Sequence, residues 1–156
     1  MTPTLFGRIQ TRLFLLGTVG VIVTVIVSPF LPVEILYLHD RLDVIPGIYA
    51  ITFGALAIVA ALGVLWELLY HLLQQLRWDK DWPTPIALLV GFSEAAVAWW
   101  VLRWIGPKPF TVVMHPPGFF ILFAAVWVSV FLAAQGPMRV MFVRWRFRGG
   151  RVIGRD

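Results

Sequence analysis

Polar side chains almost vanish from four stretches of this chain and gather in the segments between them. The apolar runs cover residues 13–31, 44–65, 86–105 and 119–134, the last closed by Gln135, Gly136 and Pro137. About 20 helical residues, rising 1.5 Å each, cross a hydrocarbon core about 30 Å thick, so each run predicts a membrane-spanning helix. The first run follows Arg8 and Arg12, as the apolar core of a signal peptide would. It is followed by "VSPFLP" rather than a small-x-small cleavage site, so it is expected to remain as an uncleaved span.

Two connecting stretches have patterns of their own. Residues 32–46 are bracketed by prolines and mix Val33, Leu36 and Leu42 with Glu34, Asp40, Arg41 and Asp43. This predicts a short helix lying on the outer membrane surface, with Pro32 in its first turn. Residues 65–83 continue helix two beyond the membrane on the cytoplasmic side. There Glu67, His71, Gln74, Gln75 and Trp78 recur at helical spacing and form one polar face. The fold class expected is an all-α integral membrane protein: a single membrane domain over 1–156, built as a four-transmembrane-helix bundle with a basic tail at 138–156.

Composition agrees with a lipid solvent. Of 156 residues 60% are hydrophobic and only 13% charged, about half the charge of a soluble domain. A soluble fold of this length could not hide so much apolar surface in one core. The absence of cysteine excludes disulfides, thiolate metal sites and thiol catalysis. The net charge of +5 sits beside the apolar runs and serves as a topology signal. Arg8 and Arg12 precede span one, and Arg77 and Lys80 lie between spans two and three. Arg139, Arg144, Arg146, Arg148, Arg151 and Arg155 follow span four. The other two loops hold Arg41 and Lys108, with Arg103 close by. The positive-inside rule puts both termini in the cytoplasm. Trp78, Trp82 and Trp145 fit an inner aromatic belt, and Trp99, Trp100 and Trp104 an outer one. The arginine-rich usage suits a bacterial plasma (inner) membrane protein.

Helices associate in lipid through small residues. Span one offers Gly17, Gly20, Thr24 and Ser28, and span two Gly47, Ala50, Gly54, Ala57 and Ala61. Span three offers Ala87, Gly91, Ala95 and Ala98, and span four Ala125, Ser129 and Ala133. Glu94 falls on the stripe of span three and is expected to face a neighbouring helix.

Glu94 is the first candidate for chemistry, because a carboxylate inside a bilayer costs at least about 2–3 kcal/mol and usually faces the interior. Arg103, nine residues on, lies half a turn around the helix, so no cation near in sequence pairs with it. Three readings stand open: a protonated acid bonded to Thr24, Ser28, Ser129 or a carbonyl, a proton- or cation-coupling residue, or a contact to another subunit. Glu67 and His71, four apart near the inner end of span two, form a second pair able to share a proton, or else an ordinary solvated face. Glu34, His39, Asp40, Asp43 and His115 lie on the two outer loops and could gather as a metal or ion cluster, though without metal-motif spacing. Arg139, Arg144, Arg146, Arg148 and Arg151, interleaved with Trp145 and Phe147, suit anionic headgroups and anchor the topology.

No phosphate-binding glycine loop, His-Glu-x-x-His or Gly-x-Ser-x-Gly occurs, and Ser93 has no intramembrane histidine as its base. No catalysis, resident cofactor or metal is expected. The function expected is a structural or accessory subunit of a membrane complex. The alternative is a small proton- or cation-coupled carrier or channel that uses Glu94 and acts as a homo-oligomer. The partners expected are the lipid bilayer, its anionic headgroups at the cytoplasmic face, and another membrane subunit or a second copy. Nucleic acid is not expected.

Overall fold

Thr4 starts the first helix well before the first apolar run: its Oγ1 accepts a hydrogen bond from Gly7 N at 3.2 Å, an N-cap that fixes the first turn. The computed structural model describes residues 4–35, 44–75, 84–105, 112–142 and 151–152. Helix α1 spans Leu5–Leu15, a π turn spans Leu16–Gly20, α2 spans Val21–Val27, and a 3-10 turn covers Ser28–Phe30. These pieces make one rod, Leu5–Phe30. The π turn has a local cause. Thr18 Oγ1 donates to the Phe14 carbonyl at 2.7 Å, and this competes with the backbone ladder at a place flanked by Gly17 and Gly20.

The rod is followed by β1 (Val33–Ile35), α3 (Val44–Gln75), α4 (Thr84–Ile105), β2 (Val112–Met114), α5 (Pro116–Gln135) and α6 (Pro137–Met141). Pro116 and Pro117 open α5, where a missing N–H costs nothing. Gly136 and Pro137 break the helix before α6, because proline cannot continue the ladder. The described chain is mostly helical, and three of its helices are long and apolar enough to cross a membrane: Leu5–Phe30, Val44–Leu73 and Pro116–Met141. Helix α4 stands beside them. An all-α integral membrane class follows.

The helices close a ring. α3 packs on α1 and α2 along one side and on α4 along the other, while α5 packs on the π turn, α2 and α4. Leu16, Ala55, Val59, Ala98, Phe119 and Val126 meet in the shared core. β1 and β2 pair antiparallel with Val33 opposite Met114 and Ile35 opposite Val112, clasping the two loops at one end of the ring.

Several expectations need correction. Residues 33–35 form a strand rather than the opening of a surface helix, because their backbone pairs with 112–114; residues 36–43 lie outside the described residues. The first helix begins at Leu5, not at 13, so Arg8 and Arg12 lie within it instead of flanking it. The small-residue stripe of helix two packs only in part: Gly47 is buried and Gly54 half-buried, but Ala50, Ala57 and Ala61 face outward, and Ile51, Thr52, Ala55, Val59 and Gly63 are buried instead. In the rod, Gly17 is exposed, whereas Gly20, Thr24 and Ser28 are buried. In α5 the buried positions are Gly118, Phe119, Leu122 and Val126. On α4 the stripe of Gly91, Glu94, Ala95 and Ala98 is buried.

Candidate functional site: paired charges in an interior cavity

Arg8 and Arg12 are one turn apart on α1 and share a face. Both point toward α3. Arg12 Nη1 lies 3.5 Å from Glu67 Oε1, and Arg8 Nε lies 3.7 Å from Glu67 Oε2. Arg12 also reaches past α3, and its Nη2 donates to the carboxylate of Glu94 on α4. One guanidinium therefore joins three helices. Gly63 makes this possible: a Cβ there would sit 2.7 Å from Arg12 Cζ and 2.9 Å from Nη2, so any larger residue would occupy the guanidinium's place.

Glu94 is 1% exposed. An acid so buried is tolerated when a cation and hydrogen bonds meet it. The cation is Arg12, 82 positions away in sequence. Thr24 and Ser28, considered above as partners of Glu94, belong to a different layer. Ser28 Oγ is 2.9 Å from Thr52 Oγ1 and 2.5 Å from the Thr24 carbonyl, and Thr52 Oγ1 donates to Ile48 O at 3.0 Å.

Among the described residues Glu67 and His71 form no hydrogen bond to each other; Arg8 contacts both. Its Nη2 is 3.4 Å from His71 Nδ1, and His71 Nε2 is 3.3 Å from Gln75 Nε2. The cluster thus holds two guanidinium groups and two carboxylates, with an imidazole at its edge.

The two guanidinium groups and two carboxylates line one cavity of about 460 Å³, within the range that takes a small ligand. Arg8, Thr11, Arg12, Glu67, Tyr70 and Gln135 lie toward one end, and Thr24, Ala55 and Phe119 toward the other. The wall between is aliphatic and aromatic. Trp127 closes part of it by packing against α4 at Gly91, where a Cβ would fall 2.6 Å from the indole. Among the described residues, the buried side-chain polar atoms without a hydrogen-bond partner are Arg8 Nε, Arg12 Nε and Thr24 Oγ1. All three belong to residues that line this cavity.

The other candidates lie elsewhere. Glu34 Oε2 and His115 Nε2 are 2.8 Å apart, an exposed diagonal pair across β1 and β2. His39, Asp40 and Asp43 lie outside the described residues. Among the described residues no three potential ligands gather to hold a metal ion. Arg139 is exposed on α6. Arg144, Arg146 and Arg148 lie outside the described residues. Arg151 is over the Phe6 ring at 5.9 Å, and Val152 N donates to Gln10 Oε1 at 3.1 Å, so the tail returns to the start of α1.

Sequence reasoning picked out Glu94 and Glu67 but took Arg8 and Arg12 as flanking charges. One signal was available. Arg8, Arg12, Leu16, Gly20, Thr24 and Ser28 recur every fourth residue, a slowly turning stripe that begins with two arginines. Compared with family models, curated proteins and solved structures, the chain matches none.

Proposed function

We propose that this chain is a small membrane carrier that binds its solute in the cavity between the helices, with the Arg12–Glu94 pair as the coupling element. The observation that carries this reading is the cavity of about 460 Å³ whose wall holds paired charges joined across three helices. Ionisable groups inside a membrane bundle that face a cavity and pair with one another mark solute or proton paths. A proton or solute that neutralises Glu94 frees Arg12, and α1 then loses its tie to α4. The site is built within one protomer, so oligomerisation is not needed to form it. No catalytic step and no resident cofactor belong to this reading.

The topology proposed with it makes α4 the fourth span and puts both termini in the cytoplasm of a bacterium, with the charged end of the cavity inward. The arginines of residues 138–156 support that orientation, because they follow the end of the bundle at which Arg8 and Gln135 lie. Lipid and its anionic headgroups are the expected contacts of that tail.

An accessory subunit is the second reading. What favours it is that the charges neutralise one another within the chain and so tie α1, α3 and α4 together. The mass and composition of the particle extracted into native nanodiscs separate the two, since a second stoichiometric polypeptide would favour the subunit.

The carrier reading is tested by thiol accessibility. The chain contains no cysteine, so Leu56→Cys introduces a single thiol into the cavity wall. A membrane-impermeant thiol reagent is expected to modify it from the cytoplasmic side, and from the outer side once Glu94→Gln is added. Protection from both sides in both backgrounds would sink the carrier.

A further inference from the structure

We infer that the cavity binds an anionic amphiphile: a molecule with one hydrocarbon chain and a compact carboxylate or phosphate head. This rests on the carrier reading and names the class of its solute.

The shape and lining of the cavity divide the ligand in two. Leu16, Ala55, Leu56, Phe119, Leu122 and Val126 form its apolar part, where a hydrocarbon surface is the match. Arg8, Thr11, Arg12, Tyr70 and Gln135 form the other end. A hydrocarbon chain fills the first part and a polar head meets the second.

The sign of the head follows from which charged groups are already satisfied. Glu94 is wholly buried behind Arg12 and takes its hydrogen bond. The arginines are less well served. Charge-assisted N–H···O bonds run at about 2.7–2.9 Å, yet Glu67 stands 3.5 Å from Arg12 and 3.7 Å from Arg8. The Nε atoms of both arginines are buried without a hydrogen-bond partner among the described residues. Both Nε atoms are enclosed by protein, so an incoming head meets the outer nitrogens of the guanidinium groups rather than Nε. Arg8 lies one helical turn before Arg12, and Glu67 holds it only loosely. An incoming carboxylate or phosphate therefore gains hydrogen bonds at Arg8 that Glu67 does not supply. A cationic head would have to displace Arg12 from Glu94 and would leave two guanidinium groups facing it.

The test is equilibrium binding of radiolabelled dodecanoate to the full chain in zwitterionic nanodiscs, with dodecyltrimethylammonium and dodecanol as probes of equal chain length. Empty nanodiscs give the partition background. Dodecanoate is expected to bind saturably, one per chain, and at least about tenfold more tightly than either other probe, the effect of one charge-assisted hydrogen bond. Arg8→Gln should weaken dodecanoate by about tenfold and leave dodecanol unchanged, and Arg8→Lys should restore part of the loss. Glu67→Gln, which removes the competing acid, should tighten dodecanoate. Tighter binding of the ammonium probe, or dodecanoate binding indifferent to both Arg8→Gln and Glu67→Gln, would overturn the inference. Mass spectrometry of the protein released from its native membrane then tells a co-purified lipid phosphate from a free fatty carboxylate. Both have the chemistry inferred. If no probe binds above background while Leu56→Cys still shows two-sided access, the anionic amphiphile is wrong and the carrier reading survives. If Leu56→Cys is protected from both sides, the carrier reading fails whatever the probes do.

Discussion

Arg12 of α1 is the counter-ion of Glu94 on α4, although these helices make their main contacts with α3 and α5 rather than with each other. The guanidinium acts as a strut across the ring, and its cost and benefit are set by burial. Removing one partner of a buried pair strands the other charge and costs about 3–5 kcal/mol, whereas replacing both with apolar or neutral groups is often neutral. Arg12→Met and Glu94→Gln are each expected to destabilise the bundle by that amount. The double variant should recover most of the loss, because Arg8 remains to neutralise Glu67. Denaturant unfolding in mild detergent reads all three, and a double variant as unstable as the sum of the singles would refute the strut.

Gly63→Ala should behave like a weakened Arg12 variant. The steric cost alone is small, since the added Cβ meets the tip of a flexible side chain. The loss comes from moving that tip away from two carboxylates. Gly17→Ala is the control: a Cβ there meets nothing within 4 Å, and alanine gains about 1 kcal/mol over glycine in a helix. Thermal shifts should fall for Gly63→Ala and hold or rise for Gly17→Ala. Equal losses at both sites would mean that the Arg12 tip is not what Gly63 accommodates.

The hydroxyl layer makes a contrasting pair of predictions. Thr24 is fully buried and its Oγ1 has no hydrogen-bond partner among the described residues, so Thr24→Val exchanges an open polar atom for a methyl of the same shape. Stability should hold or rise. Ser28→Ala should cost about 1 kcal/mol, because it removes the bond that links the rod to Thr52 on α3. The two variants compared in one detergent give the sign directly, and a destabilised Thr24→Val would show that the hydroxyl has a partner in solution.

The Glu34–His115 pair is the opposite case. Both side chains are exposed, and exposed ion pairs contribute about 0–1 kcal/mol and are screened by salt. Glu34→Gln is expected to lower stability by less than 1 kcal/mol, and that small loss should vanish at high salt. A larger, salt-insensitive loss would mean that the strand clasp depends on this side-chain pair rather than on its backbone bonds.

Much of the fold was legible in the chain. Long apolar runs marked the helices because a lipid solvent demands them, and the stripe of Gly91, Ala95 and Ala98 correctly put Glu94 on a buried face. Less was legible at the site. Arg8 and Arg12 follow the usual pattern of charges that flank a span, and only the Thr4 cap reveals that the helix starts before them. The partners of Arg12 lie 55 and 82 positions away and the His71 partner of Arg8 63, separations that periodicity cannot bridge. The stripe of Ala50, Ala57 and Ala61 misled because small residues permit close packing without compelling it. The strand pairing of 33–35 with 112–114 was hidden for a similar reason: it joins two short loop segments with no alternating pattern of useful length.

The π turn at Leu16–Gly20 has a consequence for the timing of the two halves of the rod. Positions repeating every fourth residue drift around an α-helix by about 40° per step, since each residue turns about 100°. Over the steps from Arg8 to Ser28 that drift would carry the arginines well away from the face that holds Thr24 and Ser28. One wide turn absorbs part of it and keeps charge layer and hydroxyl layer phased on a common interior line. The rod is therefore indexed like a shaft with one slipped tooth. Tightening Leu16–Gly20 into a regular α-helical turn with no residue removed would restore the drift and swing Arg8 and Arg12 away from the line of Thr24 and Ser28, aiming one end of the bundle at the wrong neighbour.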